Sequence, residues 1–162
     1  MFLARWIGAL VLVATGVAAA DEPLRVFIRA GEKTHGPGAH DHPQFLTDWK
    51  KLLTERGAEV AGALRFPTGE QIAGSDVIVF YAANAGNMDE AQRQQIAAFR
   101  KRGGGLVFIH DAVCGNDAQW FQGVTGGAWE HGFSKWFEGA VDVDFTHRKH
   151  PVTKGAGDIV QH

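Results

Sequence analysis

Residues 77–82 read VIVFYA, a continuous apolar run that is typical of a β-strand covered on both faces. A second run, LVFI at residues 106–109, follows it, and residues 24–30 (LRVFIRA) form a β-rich segment before it. Segments with helical spacing of apolar residues lie between these strands. This alternation with short links predicts an α/β fold, a doubly wound, mostly parallel sheet with helices on both faces. The continuous apolar strands argue against an α+β arrangement of the same elements.

Local signals predict where the helices begin and end. Asp41 is expected to cap the first helix and Gly57 to end it. Asn87 is expected to cap the helix that follows the VIVFYA strand. Residues 117–124 predict a short helix, and the alternating residues 139–145 predict a half-exposed edge strand.

The composition is that of one ordinary globular domain. Of 162 residues, 45% are hydrophobic and 21% are charged, and the formal net charge is −2. Without a basic excess, the chain does not look like a nucleic-acid-binding protein. The single Cys excludes an intrachain disulfide framework and a Cys-based zinc site. Two counts stand out, namely 21 Gly and eight His.

The first twenty residues predict an export signal. Arg5 precedes an apolar run from Trp6 to about Val17, and the segment ends in the small residues Ala18 to Ala20. The run is too short and too poorly flanked for a stable membrane span, which disfavours the alternative of a retained anchor. We therefore expect residues 1–20 to be a signal peptide, residues 21–162 to be a single domain, and the mature protein to be periplasmic or extracellular.

The histidines are concentrated after the predicted strands. In a doubly wound sheet the loops at the carboxyl ends of strands form the edge at which ligands bind. Several of these loops also contain Gly, which allows the backbone to approach a ligand closely. Seven of the eight histidines lie in such loops: His35, His40, His42, His110, His131, His147 and His150.

Four segments resemble the ThuA-like (trehalose utilisation) family over about residues 26–155. The similar segments are THGPG with HDHP (residues 34–43), GGG leading to HDA and CG (103–115), GGAWEHG with SKW (126–136), and HP with TK (150–154). The resemblance implies a flavodoxin-like, class I glutamine amidotransferase-like fold. It also implies a role in the use of trehalose, related disaccharides or keto-sugars. Family members usually continue further, so the resemblance also raises the expectation of a C-terminal truncation.

A metal site is the first hypothesis for the histidine cluster. In an extended loop, His40 and His42 point the same way while Asp41 points away. With His110 or His131 they would make a site of three nitrogen ligands for a divalent ion such as zinc or manganese. The alternative is that these imidazoles bind sugar hydroxyls, or hold the loop together, without any metal.

General acid–base catalysis is the second hypothesis. His110, His131 and His42 are candidates for proton transfer at or next to a sugar carbonyl, because imidazole titrates near neutral pH. Asp111 and Glu130 are their candidate partners, either as bases or as groups that orient a metal ligand. We therefore select His110, Asp111, His131 and Glu130 as candidate catalytic residues.

Other residues at the same edge are candidates for substrate binding. Trp129 and Trp136 flank His131 and offer apolar faces and indole N–H groups, and His35 and Asn84 lie in neighbouring loops. Cys114 is disfavoured as an amidotransferase-type nucleophile, because no G-x-C-x-G motif frames it and His110 directly follows the strand.

The function predicted from the sequence is an exported sugar-processing enzyme, a hydrolase, lyase or isomerase. Its partner would be a small carbohydrate, either a disaccharide or a keto-sugar. The alternative is a non-catalytic carbohydrate-binding or accessory module on the same fold. The substrate, the reaction, the identity of a metal and the oligomeric state stay open at this point.

Overall fold

The structure, a computed structural model, describes residues 22–143, 149–151, 153–154 and 159–161. A four-stranded parallel sheet forms its centre, with the strand order β2-β1-β3-β4. The predicted α/β fold with a parallel sheet is thereby confirmed. The predicted signal peptide, together with His147 and His162, lies outside the described residues. The strands are β1 (Arg25–Ala30), β2 (Glu59–Ala63), β3 (Val77–Tyr81) and β4 (Gly105–Phe108).

Helices cover both faces of this sheet. On one face, Val26, Ile28 and Val79 pack against the apolar stripe of helix α1 (His42–Thr54). On the other face, Phe27, Ile78 and Phe80 pack with Ile96 and Phe99 of helix α3 (Glu90–Lys101). The short helix α2 (Gly69–Ala73) adds Ile72 to the same cluster. Burial on both faces explains why β3 and the centre of β1 (residues 26–28) are continuous apolar runs rather than alternating ones.

The helix starts follow from side-chain caps. Asp41 accepts a hydrogen bond from the Gln44 N–H at 3.2 Å, which confirms it as the cap of α1. The prediction that Asn87 caps α3 is wrong. Asp89 caps it, because its carboxylate accepts from the Gln92 N–H at 2.8 Å while the Gln92 side chain accepts from the Asp89 N–H at 3.0 Å.

The predicted edge strand does not join the parallel sheet. Residues 141–143 form strand β5 (Val141–Val143), which pairs in antiparallel fashion with β6 (Ile159–Gln161) as a separate two-stranded sheet. His150 therefore lies between β5 and β6 and does not follow a strand of the parallel sheet. Between β4 and β5 the chain forms a short 3-10 turn (His110–Val113) and helix α4 (Ala118–Thr125). Among the described residues, no helix has the length and apolar character needed to cross a membrane.

Candidate functional site

The loop between β1 and α1 is held in a compact shape and carries His35 and His40, with His42 directly after it at the start of α1. Gly31 begins it, and a Cβ at this position would lie 2.9 Å from the Ala82 Cβ, so only glycine lets the chain pass here. The Lys33 ammonium donates to the backbone carbonyls of Gly36 at 3.1 Å and Ala39 at 2.6 Å. These bonds fold the loop back over the carboxyl ends of β1 and β3.

Backbone strain is concentrated in this part of the molecule. His35, His40, Asn84 and His110 have φ angles of 63°, 47°, 52° and 56°. Within the parts of the chain that the structure describes, no other non-glycine residue has a positive φ. Each such residue costs on the order of 1–3 kcal/mol, and strain of this kind clusters at functional sites. All four are candidate site residues by their place in the sequence.

His42 is fully buried at the start of α1, and its tautomer follows from its contacts. Its Nδ1 lies 2.7 Å from the backbone carbonyl oxygen of Glu32, which can only accept a hydrogen bond, so Nδ1 carries a proton. In neutral His42 the lone pair is therefore on Nε2. This nitrogen lies 3.3 Å from Oδ2 of Asp111 and makes no hydrogen bond.

His40 approaches the same carboxylate oxygen from the loop. Its Nδ1 lies 3.1 Å from Oδ2 of Asp111 and 3.3 Å from the Thr34 hydroxyl. The Asp111 side chain is only 15% exposed, and both of its oxygens are buried without a hydrogen bond. Two imidazole nitrogens and one carboxylate oxygen thus face one another, although the two acceptors Nε2 and Oδ2 would repel without a cation or a proton between them.

These three atoms match the requirements of a metal site. The ligand atoms of His40, His42 and Asp111 all lie within 4.8 Å of one another. Separations of 3.1 and 3.3 Å between the carboxylate oxygen and the two nitrogens suit ligands that share an ion at bond lengths of about 2.0–2.2 Å. The His42 N–H···O=C bond to Glu32 is the orienting contact that metal-bound histidines usually make. Two imidazoles and a carboxylate fit zinc or manganese.

His110 lies beside this group rather than within it. Its Nε2 is 3.1 Å from Nε2 of His40, the ring nitrogen that does not face Asp111. The His35 ring adds to the cluster, with its centre 4.0 Å from that of His40. The Asp111 carboxylate therefore lies within 3.3 Å of ring nitrogens of both His40 and His42, whereas His110 approaches the group through His40. His110 is exposed and is available to a ligand.

His131 belongs to a second small cluster at the same sheet edge. The indole N–H of Trp129 donates to His131 Nδ1 at 3.3 Å, so the ring proton is on Nε2, which lies 3.0 Å from the Asn84 side-chain oxygen. Both ring nitrogens of neutral His131 are therefore engaged. The structure thus brings together Asn84, Trp129 and His131, three of the candidate site residues predicted from the sequence. Trp136 stands apart with 70% of its surface exposed, and Glu130 points toward a neighbouring cleft.

Two residues near the site were missed by the sequence analysis. Arg29 lies near the end of the apolar strand β1, and its Nη1 is buried without a partner among the described residues. Burial lowers the pKa of the Arg29 guanidinium, and the charge of Asp111 partly offsets this effect. Tyr81 packs its ring 4.5 Å from that of His42, and burial, followed by the charges of Asp111 and Asp41, raises its pKa. A charged residue placed directly after the buried apolar residues of a strand is the signal that could have indicated Arg29.

Cys114 has the environment of an unreactive thiol. Burial raises its pKa, and the negative charge of Asp111 raises it further. A nucleophilic cysteine needs the opposite shift, because only the thiolate attacks. Its backbone instead holds neighbouring loops, since the Cys114 carbonyl accepts from the Gly86 N–H at 2.9 Å.

Comparisons with known proteins agree with this architecture. The ThuA family, described as trehalose utilisation, matches residues 25–162. A crystal structure of a protein from Bacteroides uniformis, described as ThuA-like, is similar with a TM-score of 0.65 and 25% sequence identity. The similarity covers 90% of this chain and 61% of that one, so the chain spans about three fifths of its structural relative. No match is found among curated proteins. The chain therefore belongs to the ThuA, or trehalose utilisation, family.

Proposed function

We propose that this protein binds a divalent metal ion through His40, His42 and Asp111 and processes a small carbohydrate at that site. The proposal rests on one observation. Three buried atoms that could bind a metal, His42 Nε2 and the two Asp111 carboxylate oxygens, make no hydrogen bond. A protein that buries such atoms without a partner loses on the order of 1–3 kcal/mol for each group. A cation among them removes that loss.

A bound zinc or manganese ion would act as a Lewis acid on a sugar carbonyl or hydroxyl oxygen. His110 is the proposed proton-transfer group, because it is exposed and its Nε2 is within 3.1 Å of His40 Nε2. His131 would exchange a proton only after releasing Asn84, so we assign it first to orienting the substrate. Glu130 remains a candidate base at the border of the site.

The remaining candidates are proposed to bind the sugar itself. Asn84 and His131 present polar groups that can exchange their mutual bond for bonds to hydroxyls. Trp129 offers a half-buried ring beside them, whereas His35 and the exposed Trp136 border the site. For this set we propose a hydrolysis, elimination or isomerisation of a disaccharide or keto-sugar. Family membership in trehalose utilisation supports a carbohydrate substrate.

Export is a further part of the proposal. Residues 1–20 carry the features of a cleavable leader, which places the domain from residue 21 onward in the periplasm or outside the cell. Mass spectrometry of the protein recovered from its native compartment tests this part. A mature N-terminus at Asp21 supports it, and an intact Met1 on the cell-associated protein contradicts it.

Turnover of trehalose, related disaccharides and their keto derivatives, followed by NMR with zinc or manganese added, tests the activity. We expect product with the unaltered chain and none with His110→Ala, whereas Gln94→Ala, an exposed change on α3, keeps full activity. Equal turnover by His110→Ala would remove His110 from the mechanism. Binding of the sugars without any change in them would instead identify a carbohydrate-binding module.

A further inference from the structure

A second concave surface lies next to the candidate metal group. Helix α4 and the chain from Gly127 to Ser134 enclose a cleft of about 900 Å³. This volume is near the upper end of the range for small-molecule sites, about 300–1000 Å³. None of His40, His42 and Asp111 lines the cleft. It is therefore a surface separate from the group of metal ligands.

Free amide groups dominate the wall of this cleft. Asn116, Gln119 and Gln122 are exposed, and their side chains make no hydrogen bond within the described part of the chain. Each amide carries both donors and an acceptor, the combination that binds hydroxyl groups of either polarity. Arg93 and Asp117 also line the cleft but neutralise each other through an ion pair of 2.8 Å. Such a wall suits a neutral, hydroxyl-rich ligand.

An aromatic ring completes the cleft at its mouth. Phe133 lines it with 77% of its surface exposed, and Trp136 and Phe137 follow with 70% and 86% exposed. Exposed aromatic groups of this kind mark binding surfaces, because leaving them in water is unfavourable. A flat apolar ring beside free amides is the arrangement that receives the apolar face and the hydroxyls of a pyranose.

The segment of residues 129–131 connects the cleft with the part of the sheet edge that carries the metal group. The backbone N–H of Trp129 donates to the backbone carbonyl of Val113 at 3.0 Å, and Val113 ends the 3-10 turn that carries Asp111. The next residue, Glu130, lines the cleft, and His131 returns to Asn84 at the sheet edge. A long ligand that extends over residues 129–131 can therefore lie in the cleft at one end and near the metal ligands at the other. Glu130 is the single unpaired charge among the described lining residues, which disfavours an anionic ligand.

We propose that this cleft binds additional sugar units, so that the chain prefers a neutral gluco-oligosaccharide of three or more units over a disaccharide. The proposal rests on the proposed function in one respect, that the ligand is a carbohydrate. It adds the length and the charge of the preferred ligand. The units beyond the first two would lie on Phe133 and bond to the amides of α4.

Isothermal titration calorimetry of the unaltered chain with trehalose, and with α-1,4- and β-1,4-linked glucose oligomers of three to six units, tests the proposal. We expect at least one series to bind about tenfold tighter than trehalose, which corresponds to one or two additional hydrogen bonds. Gln122→Ala should reduce this advantage about fivefold, and Phe133→Ala should do the same. Gln94→Ala, an exposed glutamine on another helix, is the matched control.

The outcomes separate this proposal from the metal-dependent function. Length-dependent binding that is weakened by Gln122→Ala supports the cleft even if no metal binds and no sugar is turned over. Affinity that does not increase with chain length in either series overturns the cleft even if trehalose is turned over. Length-dependent binding that both cleft variants leave intact also overturns it, because the additional units would then lie elsewhere.

Discussion

Replacing Asp111 by Asn should stabilise the metal-free protein and at the same time remove its stabilisation by metal. The carboxylate is 15% exposed, and neither oxygen accepts a hydrogen bond. A buried carboxylate that accepts no hydrogen bond opposes folding, whereas an amide can donate to the lone pair on His42 Nε2. We therefore expect Asp111→Asn to raise the free energy of unfolding of the metal-free protein by about 1–3 kcal/mol.

The stabilisation of the protein by metal should be smaller in Asp111→Asn than in the unaltered chain. A metal at a concentration of 100 times its Kd stabilises the unaltered chain by about 2.7 kcal/mol. Loss of a ligand should weaken binding by at least the roughly 100-fold found for residues that only orient ligands. At the same concentration the variant then gains only about 0.4 kcal/mol. For a chain of this size, the Tm increase would fall from about 5–11 °C to about 1 °C.

Thermal and urea unfolding of both proteins, first treated with a chelator and then titrated with zinc, measures these four free energies. A different outcome follows if Asp111 is only the partner of a protonated histidine. Breaking a buried ion pair costs about 3–5 kcal/mol, so Asp111→Asn would then destabilise the chelated protein. That result, together with a zinc effect equal in both proteins, would refute the metal-site reasoning.

Further predictions concern the backbone and an exposed ion pair. Gly115→Ala should destabilise the fold by about 1–3 kcal/mol in urea unfolding, because its Cβ would lie 2.9 Å from backbone atoms of Gly86. The control Gly123→Ala lies in a helix with open space around it and should stabilise by about 0.5–1 kcal/mol. His110 has a φ of 56°, which glycine adopts more easily than alanine. We therefore expect His110→Gly to be about 1 kcal/mol more stable than His110→Ala, whereas at positions with negative φ the alanine variant is normally the more stable one. Arg25 lowers the pKa of the Asp76 carboxyl to about 2. The stability from this pair is therefore present above about pH 4 and lost as the pH falls toward 2. Acid titration of Arg25→Ala should show a smaller component, because the backbone N–H at position 25 still donates to Asp76 at 2.9 Å.

The parallel sheet was predictable because continuous apolar strands leave a clear mark in the sequence, even at the sheet edge, where Val107 of β4 is 43% exposed. VIVFYA and LVFI are apolar at every position, and the structure places them as the neighbours β3 and β4. The choice of helix cap was not predictable in the same way. Asn87 and Asp89 each lie three residues before a Glu or Gln that could complete a capping box. Asn87 is excluded as the cap because its N–H already donates to the Asn84 carbonyl in a tight turn.

The candidate site was predictable as a region but not as a set of ligand atoms. Topology alone brings His40, His42 and His110 to one edge of the sheet. The chain enters a 3-10 turn at His110, which rotates successive side chains by about 120° instead of alternating them. That rotation brings the Asp111 carboxylate against His40 and His42, and no pattern in the sequence predicts the turn. The same limitation applies to the hydrogen bond between His42 and the Glu32 carbonyl.

Anomalous X-ray scattering from crystals grown with zinc, measured on both sides of the zinc absorption edge, shows directly whether the metal site exists. We expect one strong peak per chain, within bonding distance of His40 Nδ1, His42 Nε2 and Asp111 Oδ2, and its loss in crystals of Asp111→Asn. A peak at other residues, or no peak at a zinc concentration that saturates binding in solution, would contradict the proposed metal site.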